Sequence, residues 1–152
     1  MTSVVNVFYG VADGWVGIKI NTTSDDDDVE VLVDNTSSCC EEWGVDLNGI
    51  RITSGEDDLN GASDQDDCKS LVDELLQSKI HNVRWNIRRQ KSREQTGDSY
   101  QDYRYYACVD VEYELPDNAR KTLEIDAWCF HNGFYPHTVK TKWREHEDSQ
   151  EL

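Results

Sequence analysis

Residues 103–113, YRYYACVDVEY, decide the fold, because every second residue in this stretch is apolar or aromatic. A period of two places one set of side chains on a single face of a β-strand. A polar turn, PDNARK at residues 116–121, follows, and the next stretch, TLEIDAWCF at residues 122–130, is again rich in apolar residues. These residues therefore predict an antiparallel hairpin.

Strand-like patterns lie on both sides of this hairpin. HNVRWNIR at residues 81–88 precedes it, and FYPHTVKTKW at residues 134–143 follows the Asn132-Gly133 turn, which completes a meander of four strands. Three further strands are predicted near the start of the chain. Their sequences are SVVNVFY at residues 3–9, WVGIKI at 15–20 and VEVLVD at 29–34, the first two joined through Asp13-Gly14.

Two helices are predicted between the strands. One begins at Ser63 or Asp64 and carries an apolar stripe at helical spacing: Cys68, Leu71, Val72, Leu75 and Leu76. The other is short, because Ser38 and Glu41 match a capping box and Gly44 would end the helix.

The predicted order is βββ-α-β-α-ββββ, an α+β fold in which one well-formed amphipathic helix and one short helix pack on an antiparallel, strand-rich sheet. We expect a single acidic domain over residues 1–145 and a flexible polar tail over residues 146–152. REQTGDSYQD at residues 93–102 is also predicted to be a flexible polar segment.

The charge of the chain restricts its partners. There are 15 Lys and Arg against 31 Asp and Glu, a net charge of −16. Nucleic acids and membrane surfaces are polyanions and would repel such a chain, so we expect neither as a direct partner. A basic protein partner is predicted instead.

The acidic residues are concentrated in one part of the chain. Residues 21–70 contain 15 acids and 2 bases. Much of this charge falls in loop-like stretches, where it costs stability by self-repulsion, so we expect that the protein uses it. The alternative is that the acids serve only solubility or adaptation to salt. The residues of the predicted acidic binding surface are Asp25, Asp26, Asp27, Asp28, Asp57, Asp58, Asp64, Asp66 and Asp67.

A basic segment lies further along the chain. Residues 79–93 contain six bases and no acid. Arg84, Arg88 and Arg89 are candidates for a small anion site, such as a nucleotide site with Trp85 as a stacking surface. The alternative is that these arginines neutralise the acidic half of the protein or lie on a solvated face.

A group of Cys and His residues is a candidate zinc site. Cys39 or Cys40 would join Cys129, His131 and His137 as the four ligands that tetrahedral zinc requires. Their spacing matches none of the compact zinc knuckles, and burial of a small Cys beside two hydrogen-bonded His residues explains the same pattern.

The same residues allow a Cys-dependent hydrolase to be considered. Cys39 or Cys40 would attack, His131 or His137 would act as the base, and Glu41 would orient it. The sequence contains no nucleophile elbow, Gly-rich phosphate loop or nucleotide fingerprint. We therefore expect a non-catalytic protein.

A calcium loop is a further possibility at residues 56–67, EDDLNGASDQDD. The pattern departs from a calcium loop, because its first residue is not Asp and its last is Asp rather than the bidentate Glu. An ordinary solvated loop is the alternative. The ligand positions would be Glu56, Asp58, Asn60 and Asp67, with Gly61 as the turn glycine.

Two short motifs, CCEEWGV at residues 39–45 and CFHNGFYPHTV at residues 129–139, resemble a poorly characterised group of small domains found mainly in phages and large DNA viruses. There a Cys-Cys-Glu element and a His-Asn-Gly-aromatic-x-His element occur together. The resemblance implies a viral or phage origin and a mixed α/β domain, and it assigns no catalytic residue. The matching positions are Cys39, Cys40, Glu41, His131, Asn132, Gly133 and His137.

The N-terminal residues MTSVVNVFYG lack a basic stretch followed by an apolar core, and the chain has five Cys, an odd number. We expect an intracellular protein, in a host cytoplasm or a virion, and not a secreted one. The preferred function is binding of a basic host, defence or virion protein through an acidic surface, as an inhibitor or a nucleic-acid mimic. The alternatives are the nucleotide-binding module and the Cys- or metal-dependent enzyme.

Overall fold

The computed structural model describes residues 1–12, 14–34, 42–54, 62–85, 92–96, 100–131 and 138–151. Within these ranges the chain forms eleven β-strands, one α-helix and one short 3-10 helix. The strands are β1 (Thr2–Ala12), β2 (Trp15–Thr22), β3 (Val29–Asp34), β4 (Glu42–Leu47), β5 (Ile50–Ser54), β6 (Lys79–Arg84), β7 (Ser92–Thr96), β8 (Tyr100–Glu114), β9 (Arg120–His131), β10 (Thr138–Trp143) and β11 (His146–Glu151). The helices are α1 (Ala62–Leu75) and the 3-10 helix η1 (Asp25–Asp27).

The predicted hairpin is the longest paired unit of the described sheet. β8 and β9 pair antiparallel from Glu114↔Arg120 to Tyr103↔His131. The strand order is β11-β10-β3-β2-β1-β6-β8-β9-β4-β5, and β7 pairs with β8. Every strand pair is antiparallel, as the sequence predicts.

β1 connects the two halves of the sheet. Its first residues, Thr2 and Ser3, pair with β6, whereas the strand from Val4 onward pairs with β2, with an irregularity in register between Val4 and Asn6. β2 and β3 of one half contact β4 and β9 of the other. The hydrophobic core lies where these halves meet, and fully buried residues from both sides contribute to it, including Ile18, Val31, Val45 and Ile125.

Glycine is required at one point in the first half of the sheet. Gly17 has a φ of +153°, and a Cβ atom there would overlap the backbone carbonyl oxygen of Val31 on β3. Gly10 lies directly opposite Gly17 in the β1–β2 pair and has a φ of +121°. Only a residue without a side chain allows β2 and β3 to approach this closely.

The amphipathic helix is confirmed as α1, which contacts β5 and β1. Cys68 and Leu75 of the predicted stripe are fully buried, and Leu71 is half-buried against the core. Leu76 lies just beyond the helix and is exposed. The stripe therefore attaches one face of α1 to the sheet, while the opposite face meets solvent.

The predicted short helix is wrong where the structure describes it. Residues 42–47 form β4, in which Trp43, Val45 and Leu47 alternate into the core. β4 lies between β9 and β5, and Gly44 is a strand residue instead of a helix end. Ser38, Cys39, Cys40 and Glu41 lie outside the described residues. Burial of the alternating side chains outweighs the local capping signal.

Two segments predicted to be flexible are strands instead. Ser92–Thr96 forms β7 on β8, and His146–Glu151, within the predicted tail, forms β11 on β10. In the described ranges the architecture is thus a mostly antiparallel sheet with one α-helix. No helix there has the length and apolar character that crossing a membrane requires.

Candidate functional site

The first part of the predicted acidic surface is the 3-10 helix η1, between β2 and β3. Backbone hydrogen bonds from Asp27 N to Ser24 O and from Asp28 N to Asp25 O close this turn. Asp25 and Asp26 are exposed. Neither carboxylate makes a hydrogen bond or ion pair in the part of the chain that the structure describes. These two acids are therefore available to a partner.

The other two acids of this run have structural roles. Asp28 accepts a hydrogen bond of 2.7 Å from the backbone N–H of Thr22 and one of 3.2 Å from Asn21 Nδ2. Asp27 Oδ1 lies 2.9 Å from Arg144 Nε. Asp28 thus closes the loop that carries η1, and Asp27 joins this loop to the β10–β11 turn.

For the remaining acids of the predicted surface, the structure gives at most the position of the backbone. Asp64, Asp66 and Asp67 lie in the N-terminal half of α1. Asp57 and Asp58 lie outside the described residues, as do Glu56, Asn60 and Gly61 of the calcium hypothesis. The calcium hypothesis therefore stays a prediction.

The proposed anion site is described only at Arg84. Arg84 Nη2 forms an ion pair of 2.7 Å with Glu112 Oε1, and β6 and β8 pair side by side there. Arg88 and Arg89 lie outside the described residues. This ion pair agrees with the alternative that Arg84 neutralises an acid within the fold, and the anion site itself stays a prediction.

The candidate zinc ligands are described only in part. Cys129 is fully buried on β9, opposite Trp43 of β4 and Tyr105 of β8, and His131 lies two residues further along the same strand. Cys39, Cys40 and His137 lie outside the described residues. Among the residues that are described, no three His, Cys, Asp or Glu side chains are grouped as metal ligands. Zinc remains a prediction, and so does the Cys-dependent enzyme.

A cleft of about 670 Å³ opens beside η1. It lies at the C-terminal end of β6. The first residue of β1, Thr2, pairs with Ile80, so Val83 and Trp85 lie beyond the part of the chain that β1 covers. The β10–β11 turn forms the other side. The lining residues are Asp26, Asp27, Val83, Trp85, Trp143, Arg144, Glu145 and His146.

The floor of this cleft is apolar and aromatic. Val83 and Trp143 are buried members of the core, and Trp85 is half-buried against it. Trp143 is 9% exposed, and its Nε1 is buried with no hydrogen-bond partner in the described structure. The cleft is thus an opening of the core between the two halves of the sheet.

A second aromatic contact fixes the position of His146. Its ring stacks on Trp85, with centroids 4.0 Å apart and planes inclined by 23°. His146 Nε2 lies 3.3 Å from Thr141 Oγ1 on the neighbouring strand β10. This stack joins β11 to the end of β6 across the cleft.

Arg144 supplies a cation inside the cleft. It lies in the two-residue turn between β10 and β11 and has a φ of +54°. Its guanidinium carbon is 4.2 Å from the centroid of the Trp143 ring, within the range of a cation–π contact. The ion pair with Asp27 holds the guanidinium there.

The rim of the cleft is acidic overall. Asp26, Asp27 and Glu145 carry three negative charges against the single positive charge of Arg144, which leaves −2 with His146 neutral. An aromatic floor beneath an acidic rim suits a cationic group with a planar or apolar surface.

Sequence reasoning missed the cleft because its two tryptophans, Trp85 and Trp143, are 58 residues apart. One feature of the sequence could have indicated the floor of the cleft: each tryptophan continues the apolar side of a strand. Val83 lies two residues before Trp85, and Val139 lies four residues before Trp143. No protein-family model matches this chain, and neither the curated proteins nor the solved structures contain a significant match to it.

Proposed function

We propose that this chain is a non-catalytic binding protein that captures a basic protein through its acidic surface. In this proposal the chain is encoded by a virus or phage, as the resemblance of its motifs implies. The partner is a basic host, defence or virion protein, and binding inhibits that partner by occupying its basic surface.

The observation that carries the proposal is the pair of exposed carboxylates at η1. Asp25 and Asp26 are held on a short, backbone-bonded turn, yet their carboxylates have no bonding partner in the described structure. Two adjacent like charges destabilise the fold by repulsion. The fold around them gains nothing from these charges, whereas a cationic partner would.

The net charge of −16 extends this attraction beyond the turn. A strongly acidic protein steers a basic partner at long range, which raises the association rate more than the final affinity. Salt screens such steering over about 8 Å at physiological ionic strength. Association should therefore weaken steeply as salt is raised.

The test compares three immobilised proteins in bacterial and eukaryotic cell lysates. They are the parent, an Asp25→Asn/Asp26→Asn variant, and a control variant, Asp73→Asn/Glu124→Gln. The control removes the same charge from exposed sites on α1 and β9. Asp27 and Asp28 are kept because both have structural partners.

Bound proteins are identified by mass spectrometry at about 0.05 M and about 0.5 M salt, which brackets the range over which surface charges are screened. The parent and the control should retain the same basic protein at low salt and release it at high salt. The η1 variant should retain much less. Equal retention by all three proteins, or retention that does not respond to salt, would contradict the proposal.

A further inference from the structure

We infer that the cleft beside η1 receives one arginine side chain of the basic partner, which replaces Arg144 on the face of Trp143. This inference rests on the proposed function, because it identifies where the acidic surface recognises a specific side chain. It concerns the aromatic floor of the cleft and Arg144, and it shares only the carboxylate of Asp26 with the exposed charge on which the proposal above depends.

Arg144 shows that the cleft already accommodates a guanidinium. The group lies 4.2 Å from the Trp143 ring centroid, and its Nε is 2.9 Å from a carboxylate oxygen of Asp27. An aromatic face and a carboxylate at this spacing are the two contacts by which proteins recognise arginine. The protein therefore contains its own example of the interaction.

Arg144 occupies this position without filling the cleft. More than half of its side chain is exposed, and the cleft measures about 670 Å³. An ion pair this exposed contributes little stability, so Arg144 can leave the ring face at a small cost.

The charge of the rim favours an added cation over an anion. After Arg144 is paired with Asp27, the carboxylates of Asp26 and Glu145 remain, and neither has a partner in the described structure. An incoming guanidinium that replaces Arg144 would gain the Asp27 carboxylate and the face of Trp143, and the charges of Asp26 and Glu145 would add to its attraction. Displaced Arg144 returns to solvent, where an arginine is well hydrated.

The experiment uses N-acetyl-arginine methylamide as the probe and N-acetyl-citrulline methylamide as its neutral analogue of similar shape. The five tryptophans should give five indole N–H signals in an NMR spectrum. Trp85→Phe and Trp143→Phe variants assign the two signals of the cleft. We expect these two signals to move saturably with the arginine probe and to stay fixed with the citrulline probe.

An Arg144→Gln variant tests displacement directly. It removes the internal competitor, so the arginine probe should bind about five- to tenfold more tightly than to the parent. Arg120→Gln is the matched control, because Arg120 is an exposed arginine that also contacts a carboxylate, Glu114, away from the cleft. The control removes the same charge and should leave the affinity near that of the parent.

Three results would overturn the inference. The first is the absence of saturable indole shifts in both the parent and Arg144→Gln. The second is equal tightening by Arg120→Gln, which would reduce the effect to net charge. The third is that the parent binds the arginine probe but captures no basic protein in the salt-dependent lysate experiment. In that case the cleft would not be a site for an arginine of a protein partner. If the parent captures a basic protein in a salt-sensitive way but the indole signals of Trp85 and Trp143 do not respond to the probe, the inference is wrong and the proposed function is unaffected.

Discussion

Glu74 on α1 and Tyr113 on β8 are joined by a hydrogen bond of 2.8 Å from the Tyr113 hydroxyl to Glu74 Oε1. Lys121 of β9 also contacts this carboxylate oxygen, at 2.9 Å. One carboxylate thus connects the C-terminal part of α1 to the central hairpin. This connection makes the attachment of α1 sensitive to pH at both extremes.

The first prediction concerns acid. The hydrogen bond from Lys121 is the main reason why the pKa of Glu74 lies below its ordinary value of 4.5. Because this pKa is lowered on folding, Glu74 stabilises the fold above pH 4.5 and loses that effect as the pH falls further. A Glu74→Gln variant should be less stable than the parent at pH 7, by about 1 kcal/mol. Urea denaturation between pH 7 and pH 3 should show the difference narrowing, and a constant difference would contradict the assignment.

The second prediction concerns alkali. Burial, with Glu74 as a further cause, raises the pKa of Tyr113 well above its ordinary value of 10.0. Since the folded state holds this proton more tightly, the parent should lose stability as the pH rises past 10.0. Tyr113→Phe cannot ionise and should cost about 1 kcal/mol at pH 7. Urea denaturation of both proteins between pH 8 and pH 11 should show that the loss of stability caused by Tyr113→Phe becomes smaller as the pH rises. A loss that becomes larger would contradict the raised pKa of Tyr113.

The third prediction concerns the glycine pair of β1 and β2. Gly17→Ala places a methyl group against the backbone of β3, which cannot move independently of its neighbours, so a loss of about 3 kcal/mol or more is expected. Gly10→Ala is the matched control, because its Cβ would meet no atom within 4 Å and only its φ of +121° is unfavourable. That strain should cost about 1–3 kcal/mol. Melting temperatures of the two variants provide the comparison, and equal losses would remove the steric explanation.

The fourth prediction separates structural from exposed acids. Asp28→Ala leaves the N–H of the buried residue Thr22 without its carboxylate acceptor, so a loss of about 1–3 kcal/mol is expected. Asp25→Ala removes an exposed charge with no partner in the described structure and should change stability little or raise it slightly. Chemical denaturation of both variants at low salt gives the comparison. A similar loss at both positions would mean that Asp25 also has a structural role.

The sequence predicts well the elements whose side chains follow a regular period. The alternation of Val109, Val111 and Tyr113 indicates β8, and these residues are buried in the core. The 3.6-residue spacing of Cys68, Leu71 and Leu75 likewise indicates α1. In both cases the periodic pattern and the burial arise from the same packing, so the local signal and the fold agree.

β4 shows why a local signal fails. The capping box favours a helix over short range, but Trp43, Val45 and Leu47 are needed in the core. The pair Asn48-Gly49 is a hairpin signal that would have favoured a strand here. In the structure the two residues form the turn from β4 to β5, with φ values of +50° and +80°. Asn48 Oδ1 also accepts a hydrogen bond of 2.8 Å from Glu124 N on β9.

β7 and β11 could not be predicted, because SREQT and HEDSQE contain no apolar alternation. They are strands because the adjacent strands β8 and β10 offer them backbone hydrogen-bonding edges, which depends on pairing and not on their own side chains. The cleft could not be predicted for a different reason: η1, β6 and the β10–β11 turn meet only in the folded chain. The run of acids in a loop-like stretch predicts Asp25 and Asp26 as part of a binding surface, and that assignment stays a prediction.

The pairing of β3 with β10 has a consequence for the order of folding. Val31 lies opposite Thr141, 110 residues later in the chain, whereas Glu114 and Arg120 of the central hairpin are only six residues apart. Closing so large a loop costs entropy before the new contacts repay it, so β10 should join after the local hairpins have formed. During synthesis, β3 leaves the ribosome long before β10 exists, and its edge, with Val31, Leu32 and Val33, stays unpaired until then. A nascent chain stalled before residue 138 should therefore present this edge to chaperones, or to a second copy of itself.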